Sequence, residues 1–594
     1  MRLETKYVGD LPFSARPPRW SDAFTHRDPS DVQHRASYDA RVDDLALTNA
    51  LLDEARTLFG AGRPRDSVEA CLAAADVARG LRRWDLIAEA ALVVEGISDV
   101  ETDAAIERLC REALAGLEVA SDDASRPAGA TETVASAAED GLLARLHAQL
   151  AISLAHRSRG SGASDHSRRA LVLAEGSDDP AVILRVLHAR EMVVAGPWGA
   201  DEVIDLGART IALSERTGSP EAELWGRVWR IDGLFQRGEM TALDQEIDSL
   251  GVLAQRTGLP LARWHVLRSR ASRAHRLGRF DAAEQTAHMA RGILPADQHA
   301  MTEMMYWSLM VMVGTDRGRR PDAAEEMERM VVGGPPIGRA VVARLDIALG
   351  DVDAARAKFD YLRPRLADLP RDVRWLGTMV CAAEVAAGLG DEPTATLLYD
   401  RLLPFDGIMT GAPVAFVGPL SETLGWLALG LGHLDLALAH FTAAGEMSAR
   451  CDTPPSLARA RLGLAETLVR RGDDLDRARA IARQARDGAR AIGMARILVR
   501  ADALLRRIGD SARTIAETDR LTRREREVAG LTAEGLSNRQ VAEHLTLSER
   551  TIESHVQNIM SKLEFHSRAQ IAAWAALNGL MGANGSTDRS SVPK

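Results

Sequence analysis

Apolar residues recur at helical spacing along most of the chain, from about Ala46 to Ile508. Alanine and leucine stand three or four residues apart between polar, arginine-rich positions, which places the apolar side chains on one face of a helix. Polar residues and prolines dominate before residue 41, and polar residues dominate again after Ile508. The pattern predicts an all-α protein whose long central region is built from amphipathic helices.

Glycines interrupt the helical pattern at nearly constant steps of 39, 40, 40, 32, 40, 42 and 40 residues. These glycines are Gly199, Gly238, Gly278, Gly318, Gly350, Gly390, Gly432 and Gly472. Each is expected to take the positive φ that ends one helix, and an Asp that often follows by one to three residues is placed to cap the next. One helix pair per step predicts a tetratricopeptide-like helical solenoid of about ten pairs, whose units bury their apolar faces against neighbours.

Changes in texture along the chain predict its domains. We expect a loosely ordered N-terminal arm over residues 1–40, helical repeats over 41–508, a polar hinge over 509–519, a compact domain over 520–580 and a flexible tail over 581–594. Within the repeats, the small and polar residues of Val119 to Gly141 predict an inserted loop, and Pro404 to Pro419 is a second irregular stretch.

The compact domain is predicted to hold four short helices. Thr522 with Glu525, and Ser537 with Gln540, are spaced as capping boxes that start the first and second helices. A third helix, from about Glu549 to Leu563, follows a tight turn capped by Ser548, and a fourth runs from about Ser567 to Gly579. On the third helix one face is apolar, with Ile552, Val556, Ile559 and Leu563. Its other face is polar and suits the major groove of DNA.

These residues resemble the LuxR-type helix-turn-helix family. The matching segments are Leu521-Thr-x-Arg-Glu-x-Glu-Val528, Gly535-Leu-Ser-Asn-Arg-x-Val-Ala542, Leu547-Ser-x-x-Thr-Ile552, His555, Asn558-Ile559 and Lys562-Leu563. The resemblance covers roughly a tenth of the chain, and it is specific because many spacings agree at once. It implies a sequence-specific, DNA-binding transcriptional regulator that binds double-stranded DNA as a homodimer on an imperfect palindrome, with RNA polymerase as a further candidate partner.

Carried over by position, the resemblance assigns site residues on the second, third and fourth helices. The DNA-binding residues it implies are Asn538, Arg539, Ser548, Arg550, Thr551, Glu553, Ser554, His555, Gln557, Asn558 and Lys562. Thr551, Asn558 and Lys562 are expected at phosphates, and Glu553, Ser554 and Gln557 at base edges. The dimerisation residues it implies are Arg568, Ile571, Ala572 and Ala575. Many family members carry a basic residue in place of Glu553; glutamine suits adenine, and glutamate accepts from cytosine.

Composition excludes several function classes. The chain has four lysines, and none follows a glycine, so it holds no P-loop. The layout resembles that of the large LuxR regulators, with their ATPase module missing. The four cysteines lie far apart and the fifteen histidines show no ligand pairing, so we expect no metal, no cofactor and no catalytic residues. The absence of a signal-peptide core or a membrane-length apolar stretch predicts a cytoplasmic protein without membrane contact.

Charge leaves two alternatives open. The net charge is −10, and residues 521–577 carry seven bases and seven glutamates, so phosphate attraction depends on local groups. Residues 459–507 carry thirteen arginines against six acids, which marks either a basic face toward DNA or, as we favour, solvated helix faces. The rival function is a protein-interaction scaffold whose helix-turn-helix serves dimerisation or partner binding.

Two aromatic clusters in the repeats also have two interpretations. The first comprises Met301, Met304, Met305, Tyr306, Trp307, Met310 and Met312, and the second comprises Trp225, Trp229 and Trp264. Either can line a pocket for an effector or fill the core of the solenoid, and core packing is the favoured interpretation of the first. Because no other sensor is visible, we expect an unidentified effector or protein partner to bind the repeat region.

Overall fold

The computed structural model describes residues 33–94, 100–123, 132–156, 160–294, 299–322, 328–329, 331, 335–412, 415–472 and 474–581. The chain divides into two compact units, residues 1–129 and 130–594. None of the helices in the described residues combines the length and the apolar character that crossing a membrane requires.

The described residues of the first unit form four packed helices. They are α1 (Gln33–Gly60), α2 (Pro64–Gly80), α3 (Trp84–Ala91) and α4 (Val100–Asp123). Gly116 on α4 lies against the Trp84 ring, where any Cβ would overlap the indole. Helix α1 begins inside the segment expected to be a loose arm, because residues 33–40 continue the helix; the rest of that arm lies outside the described residues.

In its described residues, the second unit is a long series of helices interrupted by a β-hairpin. Its elements up to the hairpin are α5 (Glu132–His156), α6 (Gly160–Ala174), α7 (Pro180–Val194), α8 (Ala200–Thr217), α9 (Pro220–Arg237), α10 (Met240–Thr257), α11 (Pro260–Arg276), α12 (Phe280–Ala290), α13 (His299–Arg317), α14 (Pro336–Leu349), α15 (Val352–Leu362), α16 (Trp375–Leu389) and α17 (Glu392–Leu402). Short 3-10 turns follow at Arg363–Asp368 and Leu403–Phe405. The prediction of a loop over Val119 to Gly141 is wrong at both ends, because the alanine-rich helices α4 and α5 extend into this segment. Residues 124–131, between the two helices, lie outside the described residues.

The remaining elements are β1 (Met409–Ala412), β2 (Ala415–Pro419), α18 (Leu420–Gly430), α19 (Leu434–Arg450), α20 (Pro454–Arg471), α21 (Leu475–Ile492), α22 (Ala495–Arg520), α23 (Arg523–Ala533), α24 (Asn538–Leu545), α25 (Glu549–Leu563) and α26 (Arg568–Leu577). The all-α class with helical repeats is confirmed. The irregular stretch from Pro404 to Pro419 contains the exception, an antiparallel hairpin with a bulge at Thr410/Gly411.

The turn glycines behave as predicted at seven of the eight positions. Every one from Gly238 to Gly472 has a positive φ, which L side chains adopt only with strain. Gly199 differs: its φ is −131° and it begins a helix instead of ending one. The Asp caps form at Asp351, Asp391 and Asp474, whose side chains accept from backbone amides three residues later.

The second unit curls back, so that helices far apart in sequence meet. Arg276 donates from Nη1 to the Cys451 carbonyl oxygen at 2.9 Å, and the Cys451 thiol donates to the Gly238 carbonyl oxygen at 3.4 Å. A Cβ at Gly278 would stand 3.1 Å from the Ile492 side chain. The hairpin takes part in these long-range contacts, because the buried Phe416 ring packs against Phe235 of α9 and His275 of α11.

A buried ionic cluster fixes the hairpin in place. Arg459 donates to Asp316 (2.5 Å), to Glu422 (2.7 Å) and to the Val417 carbonyl oxygen, and His275 lies 3.0 Å from Asp316. Burial alone raises the pKa of Asp316, but Arg459 and His275 more than offset it and hold that pKa at about 2. Arg459 therefore belongs to the interior and not to a basic outer face.

The expected hinge at 509–519 is helical. Helix α22 runs without a break from Ala495 to Arg520. Its first half packs Ala501, Leu504 and Ile508 into the core, and its second half contains no proline to stop the helix. A polar composition is therefore compatible with a helix here and did not indicate a loop.

Candidate nucleic-acid interface

Three capping boxes begin the short helices of the C-terminal segment. Thr522 accepts from the Glu525 amide, and Glu525 Oε2 accepts from the Thr522 amide at 2.7 Å. Ser537 and Gln540 are joined in the same reciprocal way, as are Ser567 and Gln570. The first two boxes were predicted, and each satisfies helix amides that otherwise lack partners.

A tight turn joins α24 to α25. Thr546 ends α24 in the left-handed region at φ 56°, and the Leu547 amide donates to the Ala542 carbonyl oxygen. Ser548 then caps α25 by accepting from the Thr551 amide at 3.1 Å. Arg524 of α23 secures the turn by donating from Nη2 to the Leu545 carbonyl oxygen at 2.6 Å. This is helix, short turn, helix, and the contribution of Arg524 was not predicted.

Helix α25 turns one face inward and leaves the other free. Ile552, Val556, Ile559 and Leu563 are buried, as their spacing predicted. The outward face carries exposed side chains on successive turns: Arg550, Glu553, Ser554, Gln557 and Asn558. Thr551 and His555 are half-buried at the border between the faces. The outward residues therefore form one contiguous polar strip on a helix that fits a major groove.

The two candidate residues on α24 differ in exposure and in their hydrogen-bond partners. Asn538 is half-buried, and its Oδ1 accepts from an Arg568 guanidinium nitrogen. Arg539 is exposed and makes only a solvent-facing pair with Glu543 at 3.1 Å. Arg539 is available to a ligand, whereas Asn538 is already bonded within the domain.

Lys562 also has a partner inside the domain. Its Nζ lies 2.6 Å from Glu525 Oε2, and the Glu525 side chain is only 4% exposed. Burial by itself raises the pKa of Glu525, but Lys562 and Thr522 stabilise the carboxylate more strongly, so that pKa lies below its ordinary value. Sequence reasoning assigned Lys562 to phosphate and missed this pair, because 37 residues separate its members.

Most basic side chains of the domain are paired with acids. Arg523 and Arg524 both contact Glu527, which lowers the pKa of that carboxyl. Arg550 is different, since no described residue bonds to its exposed guanidinium at the start of α25. The free positive charge of the outward strip is therefore concentrated at Arg550, next to the N-terminal amides of the same helix.

The predicted dimerisation residues do not form one surface. Ile571 and Ala575 are completely buried in the core of the domain itself, and Arg568 donates to Asn538 and to the Leu536 carbonyl oxygen. Of the four residues, Ala572 alone is partly exposed without a bond. The prediction placed the wrong helix face outward, because an alanine-rich helix gives little contrast between its sides.

The exposed face of α26 consists of other residues. It carries Ala569, Gln570, Ala573, Ala576 and Leu577, and Leu577 is 87% exposed. On the opposite side, Trp574 donates from Nε1 to Glu517 at 2.8 Å, which ties α26 to the end of α22.

Comparison with known proteins identifies this segment. Residues 519–575 match the family model described as bacterial regulatory proteins, luxR family. The transcriptional regulatory protein LiaR of Bacillus subtilis (strain 168) is 36% identical over 78 residues, 13% of this chain and 37% of that protein. The nitrate/nitrite response regulator protein NarL of Escherichia coli (strain K12) is 36% identical over 63 residues, 11% of this chain and 29% of that protein. The chain thus spans about a third of the length of these relatives.

Solved structures resemble the chain only loosely. The structure of Naa15/Naa10 bound to HypK-THB covers 89% of this chain and 80% of its own, with 13% identity and a TM-score of 0.20. A circular tandem repeat protein covers 80% of this chain with a TM-score of 0.14.

Proposed function

We propose, from the LuxR-family helix-turn-helix domain that residues 519–575 form, that the whole chain is a sequence-specific transcriptional regulator acting in the cytoplasm. The observation that carries the proposal is the outward strip of α25, which leaves Arg550, Glu553, Ser554, Gln557 and Asn558 exposed together. A helix with a buried apolar face and a free polar face can lie in the major groove without disturbing its own core.

Each position on the strip has a proposed role. Gln557 reads adenine through paired hydrogen bonds, and Glu553 accepts from cytosine. Thr551 and Asn558 contact phosphates, together with Arg550 and the helix N-termini at Ser537 and Ser548. Lys562 reaches phosphate only by sharing or leaving Glu525, so its contribution is smaller than its charge suggests.

Two copies are proposed to bind an imperfect palindrome. The exposed alanines of α26, with Leu577, give a flat apolar face on which a second copy can pack. Half-sites are then separated by about one helical turn of DNA. RNA polymerase is the proposed partner through which bound protein acts on transcription, and the repeat region is the proposed sensor of an effector or partner protein.

Selection of DNA by the full-length chain tests the proposal. Random double-stranded fragments are incubated with the wild type, Gln557→Ala and the matched control Gln255→Ala, an exposed glutamine on α10. We expect the wild type and the control to retain the same palindrome. Gln557→Ala should lose preference at one base pair, worth about 1–3 kcal/mol, because one bidentate contact is removed.

The salt dependence of binding separates the regulator from the scaffold. A DNA-binding domain should lose affinity linearly with the logarithm of salt concentration, with a slope set by the number of phosphates contacted. A chain that selects no sequence and shows no such slope is a protein-interaction scaffold, and the regulator proposal is then wrong.

A further inference from the structure

The buried ionic cluster beside the β-hairpin contains more carboxyl groups than cations. Its members, each on a different helix, are His275 (α11), Asp316 (α13), Arg344 (α14), Glu384 (α16), Glu422 (α18) and Arg459 (α20). Arg459 donates to Asp316 and to Glu422. Arg344 donates from Nε to Glu384 Oε2 at 2.6 Å. Two arginines therefore face three carboxyl groups, so the cluster is neutral only if it also holds one proton.

This proton costs least on Glu422. Oε1 of Glu422 accepts from Arg459 Nε at 2.7 Å, but its Oε2 is buried and no group in the described residues bonds to it. An ionised carboxylate with a bare buried oxygen is more costly than a neutral carboxyl group, because its charge has lost its hydration. Asp316 differs, since one of its oxygens accepts from Arg459 and the other lies 3.0 Å from His275 Nε2. Asp316 is therefore the carboxyl group that this arrangement keeps ionised.

His275 is a poorer position for the proton than Glu422. Its Nε2 faces Asp316, and its Nδ1 is buried without a hydrogen-bond partner in the part of the chain that the structure describes. A protonated imidazole carries an N–H on both nitrogens, so the charged ring would leave one buried donor unsatisfied. The neutral ring donates from Nε2 to Asp316 and buries no net charge.

The electrostatics of the two carboxyl groups agree with this assignment. Burial raises the pKa of Glu422 to about 7, because the opposing effect of Arg459 is smaller, and the neighbouring Glu384 adds to the rise. The pKa of Asp316, which shares Arg459 with Glu422, is held at about 2. Two carboxyl groups on one guanidinium thus differ in protonation, because only Asp316 has partners for both oxygens.

Other titratable groups around α18 are neutral or paired elsewhere. Cys381 on α16 is a buried thiol whose pKa burial raises to about 12, so it carries no charge. His440 on α19 bonds to Tyr399 and lies 3.1 Å from Asp406. Strands β1 and β2 carry no titratable side chain. Glu422 is therefore the group of this region that changes its charge near neutral pH.

Glu422 is joined to the hairpin in two ways. Helix α18 follows β2 directly, so Glu422 lies three residues after the end of the hairpin. Arg459, which bonds to Glu422, also donates to the Val417 carbonyl oxygen of β2. The hairpin in turn packs Phe416 against His275 of α11. A charge on Glu422 therefore acts on the segment that connects α11 with α18 and α20.

We propose that protonation of Glu422 controls the hairpin: the protonated carboxyl group keeps it closed on the ionic cluster, and loss of the proton to solvent loosens it as pH rises. In the open form Glu422 is hydrated and its pKa returns to its ordinary value of 4.5, against about 7 in the closed form. Between these values opening releases a proton, so each pH unit raises the ratio of open to closed hairpin by up to about tenfold. The inference concerns the repeat region and does not depend on DNA binding.

Amide hydrogen exchange of β1 and β2 in the full-length chain, followed by mass spectrometry from pH 5 to pH 7.5, tests the proposal. Dividing each rate by the intrinsic chemical rate at that pH leaves the opening equilibrium. We expect opening of the wild type to increase about tenfold or more over this range. Glu422→Gln copies the shape and charge of the protonated carboxyl group, so its opening should stay near the low wild-type value of pH 5 throughout. Glu446→Gln, at an exposed glutamate of α19, is the control and should follow the wild type.

Glu384→Gln gives a second readout. It removes one of the three carboxyl charges, so Glu422 should ionise in the closed form at lower pH, and the increase in hairpin opening should become smaller. Opening of the wild type that is constant or falls with pH, a wild-type pH dependence in Glu422→Gln, or one in Glu384→Gln would each overturn the proposal. If Glu422→Gln does not fold, the comparison of the wild type with Glu384→Gln decides on the same terms.

Discussion

At the scale of single residues, predictions of which side chains are buried were correct where the helical periodicity of apolar residues is clear. The spacing of four, three and four from Ile552 to Leu563 correctly divided α25 into a buried and a free face, since side-chain direction follows from position on a helix. The partner of Lys562 was not predictable, because Glu525 reaches it only after α23 packs on α25. Alanine-rich α26 gave too little contrast, and Ile571 and Ala575 were assigned to the wrong face.

The Lys562 pair should contribute to the stability of the DNA-binding domain. Lys562→Met leaves the Glu525 carboxylate buried with only the Thr522 groups as partners, and we expect a loss of about 1–2 kcal/mol. Amide hydrogen exchange of α23 to α25 in the full-length chain measures this loss of stability. Arg539→Met, which breaks an exposed pair, is the control and should change stability by less than about 0.5 kcal/mol. Equal exchange in the two variants would contradict a stabilising role for Lys562.

Glu191 on α7 should make stability depend on pH. Burial, with the nearby Asp232 charge, raises the pKa of Glu191 to about 8. Between an unfolded value near 4.5 and about 8 the unfolded chain releases this proton while the folded chain keeps it, so stability falls as pH rises. The melting temperature of Glu191→Gln should match the wild type near the low end of this window and exceed it increasingly toward the high end. The exposed Glu215→Gln serves as control, and a constant difference across the window would show that Glu191 does not titrate there.

At the scale of elements, turn chemistry predicted well and short strands did not. Positive φ at seven of the eight glycines follows from the need to reverse direction after each helix. The hairpin was recognised only as an irregular stretch, because strands of four and five residues that pair only with each other leave a weak sequence pattern. The polar end of α22 was taken for a hinge since solvated helix and loop have similar composition.

Alanine substitutions at two turn glycines test the contact between the end of α11 and Ile492 of α21. Gly350 and Gly278 both have positive φ, so alanine at either should cost about 1 kcal/mol of backbone strain. At Gly278 the added Cβ also stands 3.1 Å from the Ile492 side chain, which must shift by a few tenths of an ångström, so we expect Gly278→Ala to melt below Gly350→Ala. Thermal melting of Gly278→Ala and Gly350→Ala measures the difference. Equal melting temperatures would mean that Ile492 accommodates the added methyl group without cost.

At the scale of the whole molecule, the order of the regions along the chain was predictable, but the contacts between distant helices of the second unit were not. The repeat period and the family spacing each appear in local sequence, so the helical repeats and the C-terminal LuxR-type domain were both identified. The contact of Arg276 with Cys451, 175 residues away, leaves no mark in local periodicity.

The exposed face of α26 should govern cooperative binding by two copies. Ala573→Glu places a charge on that face, and we expect weaker binding to DNA with two half-sites and unchanged binding to DNA with one. Gel-shift titration with both DNAs measures the two affinities. Ala282→Glu, at an exposed alanine of α12, is the control. If Ala573→Glu weakens neither, two copies associate elsewhere.

The unbroken helix α22 joins the repeat region directly to the DNA-binding domain. Beyond Ile508, its last residue in the repeat core, twelve residues carry the helix to Arg520, a length of about 18 Å. A tilt of about 10° at the core therefore displaces the far end by about 3 Å, close to the rise of one base pair. In the proposed dimer, tilting of the last repeats by this angle would shift the two domains out of step with their half-sites.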